Sequence, residues 1–303
     1  MHLTVTHFGY SPLKGARHQA RTTAEITASG PLYNRRWALV SPTDRTVLRT
    51  VAHPTLMGIT TDLIARDGKA ELTLHMPGAG SYTVPALTRA ASSTFTSWGA
   101  EKQLAVYDHP VNEALSNYLE KPVALAFAPR QNLVYAGAFS LIGTATLVEI
   151  ARQLNPEQPL NPDEIAARLR CNLVVETSTP YIEDRWQGKT LTLQAGRGVP
   201  AELHGLQLVA GEGIGRCAVI DVQPDTGQRT ARLLKLLACY RPRNLRGEPT
   251  AGIYASLAAA APALPDAPYL SLTGELGQDV KTVGNRLLTR YLATPRTALR
   301  QPG

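Results

Sequence analysis

Segments of residues 1–85 alternate apolar and polar side chains, and that period of two makes this stretch read mostly as strands. Leu3 and Val5 alternate with polar neighbours, and Trp37–Val40 and Glu71–Met76 continue the pattern between Gly, Pro and Asp turns. Residues 110–119 switch to helical spacing, with Val111, Ala114, Leu115 and Tyr118 on one face. A second unit begins near residue 125. The spacing predicts a helix over 145–154, capped by Thr144 and burying Leu147, Val148, Ala151 and Leu154. Asn161-Pro162-Asp163-Glu164 predicts another, with Asn as cap, Pro first and an acid three residues after the cap. Strands are expected at 173–175, 191–194, 206–210 and 218–222, and a helix over 230–240. Strands dominate, so the expected class is mixed α/β dominated by β-barrel, with a few peripheral helices. The expected division is 1–124, 125–290 and a flexible C-terminal tail over 291–303.

The 303-residue chain is 44% apolar and 18% charged, the composition of a globular protein. It opens MHLTVTHFGY, without a charged-then-apolar leader, so no secretory signal is expected. No apolar run reaches the ~18–20 residues of a bilayer span, so no membrane partner is expected. Cys171, Cys217 and Cys239 make a poor disulfide framework, which points to a reducing cytoplasm. Without a CxxC pair, neither structural zinc nor a self-contained iron–sulfur cluster is expected. Part of the +7 net charge gathers between Arg216 and Arg246. A solvated basic face and a phosphorylated small molecule both account for it. Nucleic acid is disfavoured, because the run holds a single aromatic, Tyr240.

Gly211-Glu-Gly213-Ile-Gly215-Arg216 has the look of a phosphate loop after a strand. A dinucleotide fingerprint needs a helix immediately afterwards, to hold the phosphate at its N-terminus. Here the chain continues Cys-Ala-Val-Ile-Asp-Val, which reads as strand, so the run is expected to be a turn whose glycines let a ligand approach. Cys217 follows Arg216, and an adjacent guanidinium favours the thiolate that binds metals. A Cys opening a strand is also often a small core residue. Cys239, in an apolar helical stretch, is expected in the core, and Cys171, between Arg170 and Asn172, reads either way. None of the seven histidines has metal-ligand spacing, and no GxSxG elbow is present. Glu183 and Asp184 read as a solvated pair in a surface turn.

Several segments carry a resemblance. Tyr10-Ser-Pro-Leu-Lys14-Gly15 resembles the Y-P-x-K-S/G opening of MOSC N-terminal domains, and Asn34-Arg35-Arg36-Trp37-Ala-Leu-Val40 resembles D-R-R-W-x-L-V. His53-Pro54-Thr-Leu56 looks like the later P-x-L turn. Arg168-Leu-Arg170-Cys-Asn172-Leu-Val-Val175 is similar to R-F-R-P-N-x-V-V, and Tyr181–Trp186 to F-x-E-D-x-W. Gly215-Arg216-Cys217 with Pro224-Asp225-Thr226-Gly227 follows R-C then D-P-D-T-G, and Gly252-Ile-Tyr254 fits G-x-Y. These run in family order, and the layout also resembles the mitochondrial amidoxime-reducing component. The chain departs from the pattern at Asn34, Cys171, Gly15 and Gly215. The closing strand has only Gly274–Val280 as a candidate.

The resemblance implies a MOSC β-barrel fold with a β-rich N-terminal domain. It also implies a molybdenum cofactor, Mo-molybdopterin, and no pyridoxal phosphate. Carried over, Cys217 supplies the catalytic metal thiolate, while Lys14, Arg35, Arg170, Asn172, Arg216 and Thr144 fall to cofactor binding. A soft thiolate suits molybdenum, and arginine forks with a lysine suit a phosphate. The implied activity is a molybdenum-dependent oxidoreductase reducing small N-hydroxylated or N-oxide molecules. Its electrons would come from a separate ferredoxin- or cytochrome-like donor protein. The alternative is a cofactor carrier or persulfide-transfer protein using Cys217. The site is expected on the face linking the two units.

Overall fold

The computed structural model describes residues 1–66, 69–87, 91–130, 132–134 and 136–258. The expected tail over 291–303, the later part of the second unit and the Gly274–Val280 segment lie outside the described residues. Two β-structures dominate. Strands Ser92–Ser97, Ala100–Val106, Ala124–Phe127, Trp37–Ser41 and Thr46–Val47 form a closed barrel. Strands Leu173–Val175, Phe139–Gly143, Thr250–Leu257, Gln207–Gly215, Thr190–Ala195 and His2–Tyr10 follow one another in a second sheet. Antiparallel pairing of His2–Tyr10 with Leu173–Val175 closes that sheet on itself. A three-stranded antiparallel sheet, Thr60–Arg66, Lys69–Met76 and Gly80–Pro85, packs beside the first barrel.

The chain does not divide cleanly between the two barrels. Residues 125–127, expected in the second unit, stay in the first barrel. The first strand, expected in the N-terminal unit, lies parallel to Thr190–Ala195 in the second. The paired strands are far apart in sequence, so local patterning carries no sign of the exchange. Trp37–Ser41 is buried along its whole length. Ala38 and Val40 face the barrel interior, whereas Trp37 and Leu39 join a core shared with the three-stranded sheet and a helix. Trp37 is fully buried and donates its indole N–H to Tyr107 Oη at 2.8 Å. Burying a ring of that size is worth roughly 4–6 kcal/mol.

Among the described residues, four α-helices sit outside the barrels: α1 Val111–Tyr118, α2 Thr144–Leu154, α3 Pro162–Leu169 and α4 Leu233–Tyr240. The cap of α3 is as expected, with Asn161 Oδ1 accepting from the Asp163 N–H at 2.9 Å. In α2 the cap is Gly143, and Thr144 is the first helical residue. The buried face of α2 includes Ile150, while Val148 is 54% exposed, so the expected stripe is off by part of a turn. The missing side-chain cap is supplied from a distance. Glu183, fully buried, accepts from the Gly143 N–H at 3.3 Å and from Thr146 Oγ1 at 3.0 Å. Glu183 is therefore no solvated acid. It fills the N-terminus of a helix, where donors and the helix dipole favour a carboxylate.

Two further expectations fail around residue 215. The glycine run is not a turn but part of the strand Gln207–Gly215. Residues 218–222 are not a strand: Ala218–Asp221 form a 3₁₀ turn. The partner strand begins at Thr250, opposite Gly215, and the last backbone bond across runs from the Arg216 N–H to Pro249 O at 2.9 Å. The backbone then closes on itself, with Ile220 N–H to Cys217 O and Val222 N–H to Val219 O, both 3.2 Å.

Candidate functional site

A half-open cleft lies where the two barrels meet, with about 950 Å³ of free space including its mouth. Lys14, Arg35, Arg49 and Trp98 line it from the first barrel's side, and Arg170, Cys217 and Tyr254 from the second's. Asn172 and Arg216 complete the wall, so all but one of the residues expected at the site converge here. The exception is Thr144, which is not among the lining residues. Its hydroxyl is tied to Thr177, donating to the carbonyl at 3.2 Å and accepting from the N–H at 3.0 Å.

The cations are set by a rigid backbone. Ser11 Oγ bonds the carbonyls of Leu13 and Ala16 at 2.8 and 3.1 Å, tightening the turn that carries Lys14. The Lys14 N–H donates to Trp37 O at 2.7 Å, and the Arg35 N–H to Ser11 O at 2.8 Å. Arg170 ends α3 as its C-cap, with φ +58°. Arg35 and Trp98 also have positive φ, +55° and +49°. A left-handed backbone costs an L residue roughly 1–2 kcal/mol, and three such residues meet in this cleft.

No Asp or Glu occurs among the described lining residues. Burial, reinforced by Arg35, Arg170 and Arg49, pushes the Lys14 amine down to about 7. Its Nζ lies 3.7 Å from the Trp98 ring centroid. Burial and then Arg35 push Arg170 down to about 9, still protonated at neutral pH. One Arg170 nitrogen is spent on the Met57 thioether. Burial also lowers Arg35. This is a cluster of confined positive charge.

Arg216 and Asn172 have other work. Arg216 donates to Ala251 O from Nε and Nη2 at 2.8 and 2.5 Å, to Leu169 O at 2.7 Å, and to Cys171 Sγ at 3.2 Å. It braces the strand Thr250–Leu257 against the end of α3, and its guanidinium is directed at these partners. Asn172 Nδ2 donates to Gly9 O at 3.0 Å, while Oδ1 accepts from Ser140 Oγ and N–H at 3.0 and 3.2 Å. It ties three strands together at the cleft floor. Cys217 is exposed at the cleft wall, Cys171 is buried, and Cys239, expected in the core, is exposed.

Arg49, Trp98 and Tyr254 were not singled out as site residues by sequence reasoning. Trp98 had one local signal, its place before Gly99 at the tip of the hairpin joining Ser92–Ser97 to Ala100–Val106. Among the described residues no group of three His, Cys, Asp or Glu side chains is placed to hold a metal ion. No helix among them is long and apolar enough to cross a membrane.

Residues 3–122 match the family model described as the MOSC N-terminal beta barrel domain. The chain is 25% identical over 257 residues to a molybdenum cofactor sulfurase of Caenorhabditis briggsae and 26% identical over the same length to that of Caenorhabditis elegans. Each match covers 83% of this chain and 33% of the relative. The chain thus spans about a third of the length of these curated relatives. A Bordetella bronchiseptica protein of known solution structure is 19% identical, covering 38% of this chain and 95% of its own, with a TM-score of 0.28. Over residues 3–122 the chain is thus similar to the MOSC N-terminal beta barrel domain, and over most of its length it shows distant homology to molybdenum cofactor sulfurase.

Proposed function

We propose that the cleft binds molybdenum cofactor and that the chain is a molybdenum-dependent oxidoreductase acting on small N-hydroxylated or N-oxide compounds. The observation that carries this reading is the pairing of an acid-free cluster of confined cations with an exposed cysteine in one cleft. The donor set fits the group. A phosphate dianion answers Lys14, Arg35, Arg49 and Arg170. A metal held here through one cysteine must arrive with its other ligands on an organic carrier. When bound, the cofactor supplies two-electron oxygen-atom chemistry.

The chain's own residues do the rest. Lys14 and the arginines bind and orient the anionic end. Asn172 and Arg216 keep the floor rigid through the hydrogen bonds given above. Cys217 offers the soft ligand. Tyr254, whose phenol burial raises, stays protonated and can donate a hydrogen bond at the cleft wall. Electrons come from a separate ferredoxin- or cytochrome-like protein. Protein purified from cells that make the cofactor should contain molybdenum near one atom per chain, and a donor-supplied preparation should reduce an amidoxime. Molybdenum-loaded protein inert toward such compounds would remove the reductase reading.

A second reading is favoured by the relatives, which are named as sulfurases: Cys217 carries a persulfide, or the chain holds cofactor for another enzyme. Exposure of Cys217 suits a transfer cysteine. A sulfur adduct on Cys217 by mass spectrometry, with molybdenum absent by elemental analysis, selects it.

A further inference from the structure

Past Trp98 the cleft continues into a second compartment with about 990 Å³ of free space, mouth included. Trp98, Val134, Ala136 and Tyr254 line both, so the shared wall is aromatic and apolar. The charges differ. The first compartment is lined by five cations, four of them besides the braced Arg216, and no acid among the described residues, and the second has Lys102 and Arg246 with one acid, Glu212. Bare backbone at Gly213 and Gly215 forms part of its lining. A Cβ at position 215 would come within 2.2 Å of Asn244 Nδ2 and Glu248 Oε2, so glycine lets the 244–248 turn lie against the strand. That turn is fixed by Asn244. Its Nδ2 donates to Glu248 Oε2 at 2.9 Å, and its Oδ1 accepts from the N–H groups of Arg246 and Glu248 at 3.0 Å. Gly215 therefore lets the turn that carries Arg246 lie beside the cleft.

We propose that this second compartment binds a planar organic anion, an aromatic ring bearing a carboxylate, and places it as substrate beside the first compartment. The proposal rests on reading the first compartment as the cofactor's. The ring lies against the wall of Trp98 and Tyr254, and the carboxylate meets Lys102 and Arg246. Two cations against one acid select an anion over an amidinium of the same shape. A phosphate dianion still prefers the first compartment, where four cations face it.

The test uses the full-length, cofactor-free protein and calorimetric titration with pyridine-3-carboxylic acid N-oxide, its neutral carboxamide and benzamidine. The carboxylate should bind about tenfold or more tighter than the carboxamide, with benzamidine weakest. Lys102→Ala and Arg246→Ala should each weaken the carboxylate about tenfold. Lys235→Ala, on the exposed side of α4, should leave it unchanged, and Lys14→Met should weaken it less than either of these two substitutions at Lys102 and Arg246. Equal binding of carboxylate and carboxamide, or tighter benzamidine, would overturn the proposal. So would a carboxylate affinity that depends on Lys14 and not on Lys102 or Arg246. The functional reading fails separately. Absence of molybdenum defeats that reading and leaves this binding pattern standing, whereas a molybdenum-loaded protein without this pattern defeats only the present proposal.

Discussion

The ammonium of Lys14 rests 3.7 Å from the centroid of the Trp98 ring, so an amine buried among three arginines has an aromatic face where a carboxylate would be expected. A cation over indole gains ~0.5–2 kcal/mol, less than the confinement of a buried ammonium costs. An anion entering the cleft would tip that balance.

That balance gives a pH dependence. Lys14 is charged below about 7 and neutral above it, while sulfate remains a dianion throughout. Sulfate binding to the cofactor-free protein should therefore weaken between pH 6 and 8.5, and binding at pH 8.5 should take up close to one proton. Titration calorimetry in buffers of different ionisation enthalpy reads both. Stability follows the same linkage. The unfolded chain keeps the Lys14 proton up to about 10.5 and the folded chain only to about 7. Between those values the unfolded state binds more protons, so the Lys14 contribution rises with pH. Lys14→Met should flatten both profiles, and a profile unchanged by that substitution would show that Lys14 is not the titrating group.

Two arginines that look alike in sequence should respond oppositely. Arg216 satisfies two backbone carbonyls and the Cys171 sulfur, so Arg216→Ala should cost ~3 kcal/mol by chemical denaturation. Arg170 is a buried charge with no acid among the described cleft residues. Arg170→Met should raise cofactor-free stability by ~1–2 kcal/mol while weakening sulfate binding at least tenfold. If Arg170→Met destabilises the protein as Arg216→Ala does, Arg170 is a structural brace and not an anion ligand.

This contrast marks where the sequence stops being legible. The α3 cap is local, Asn161 to Asp163, and is read directly from the residues. The convergence of Lys14, Arg35, Arg170 and Cys217 follows from the resemblance of ordered motifs, since nothing in their own spacing brings them together. What neither could supply is orientation. Arg216 and Asn172 stand in family positions but direct their polar groups largely into the protein. Glu183 looks solvated beside Asp184, yet reaches Gly143 and Thr146 across some forty residues. The end of the strand at Gly215 depends on where its partner begins, at Thr250.

Glu183 offers a stability test independent of any ligand. Burial raises its carboxyl above the usual range, against the hydrogen bonds from Thr146 and Gly143. A raised acid pKa means the folded state holds the proton longer, so this contribution falls as pH rises through that window. Glu183→Gln keeps an acceptor without the charge and should shift stability by less than ~1 kcal/mol at pH 7. Glu183→Ala leaves the Thr146 O–H and the Gly143 N–H without their acceptor and should cost ~2–4 kcal/mol. Equal losses from the two would show that the carboxylate charge, and not the acceptor, holds the helix end.

The cysteines separate the site from the scaffold. Cys217 is exposed at the cleft wall, so Cys217→Ser removes a soft ligand without disturbing a core and should leave the denaturation midpoint unchanged. Sulfate binding should persist in that variant, because Lys14, Arg35, Arg49 and Arg170 are untouched, while molybdenum content falls. Cys239 is also exposed, its thiol directed at Lys235 O at 3.3 Å. Cys239→Ser should therefore stay within ~0.5 kcal/mol of the parent, not the larger loss expected of a core position. Cys171 is the buried one and accepts from Arg216, so Cys171→Ala should lower stability by ~1 kcal/mol through that contact. Elemental analysis of the three variants decides between them. Loss of molybdenum only from the Cys217 variant supports Cys217 as the ligand, and loss only from the Cys171 variant transfers that role to the buried thiol.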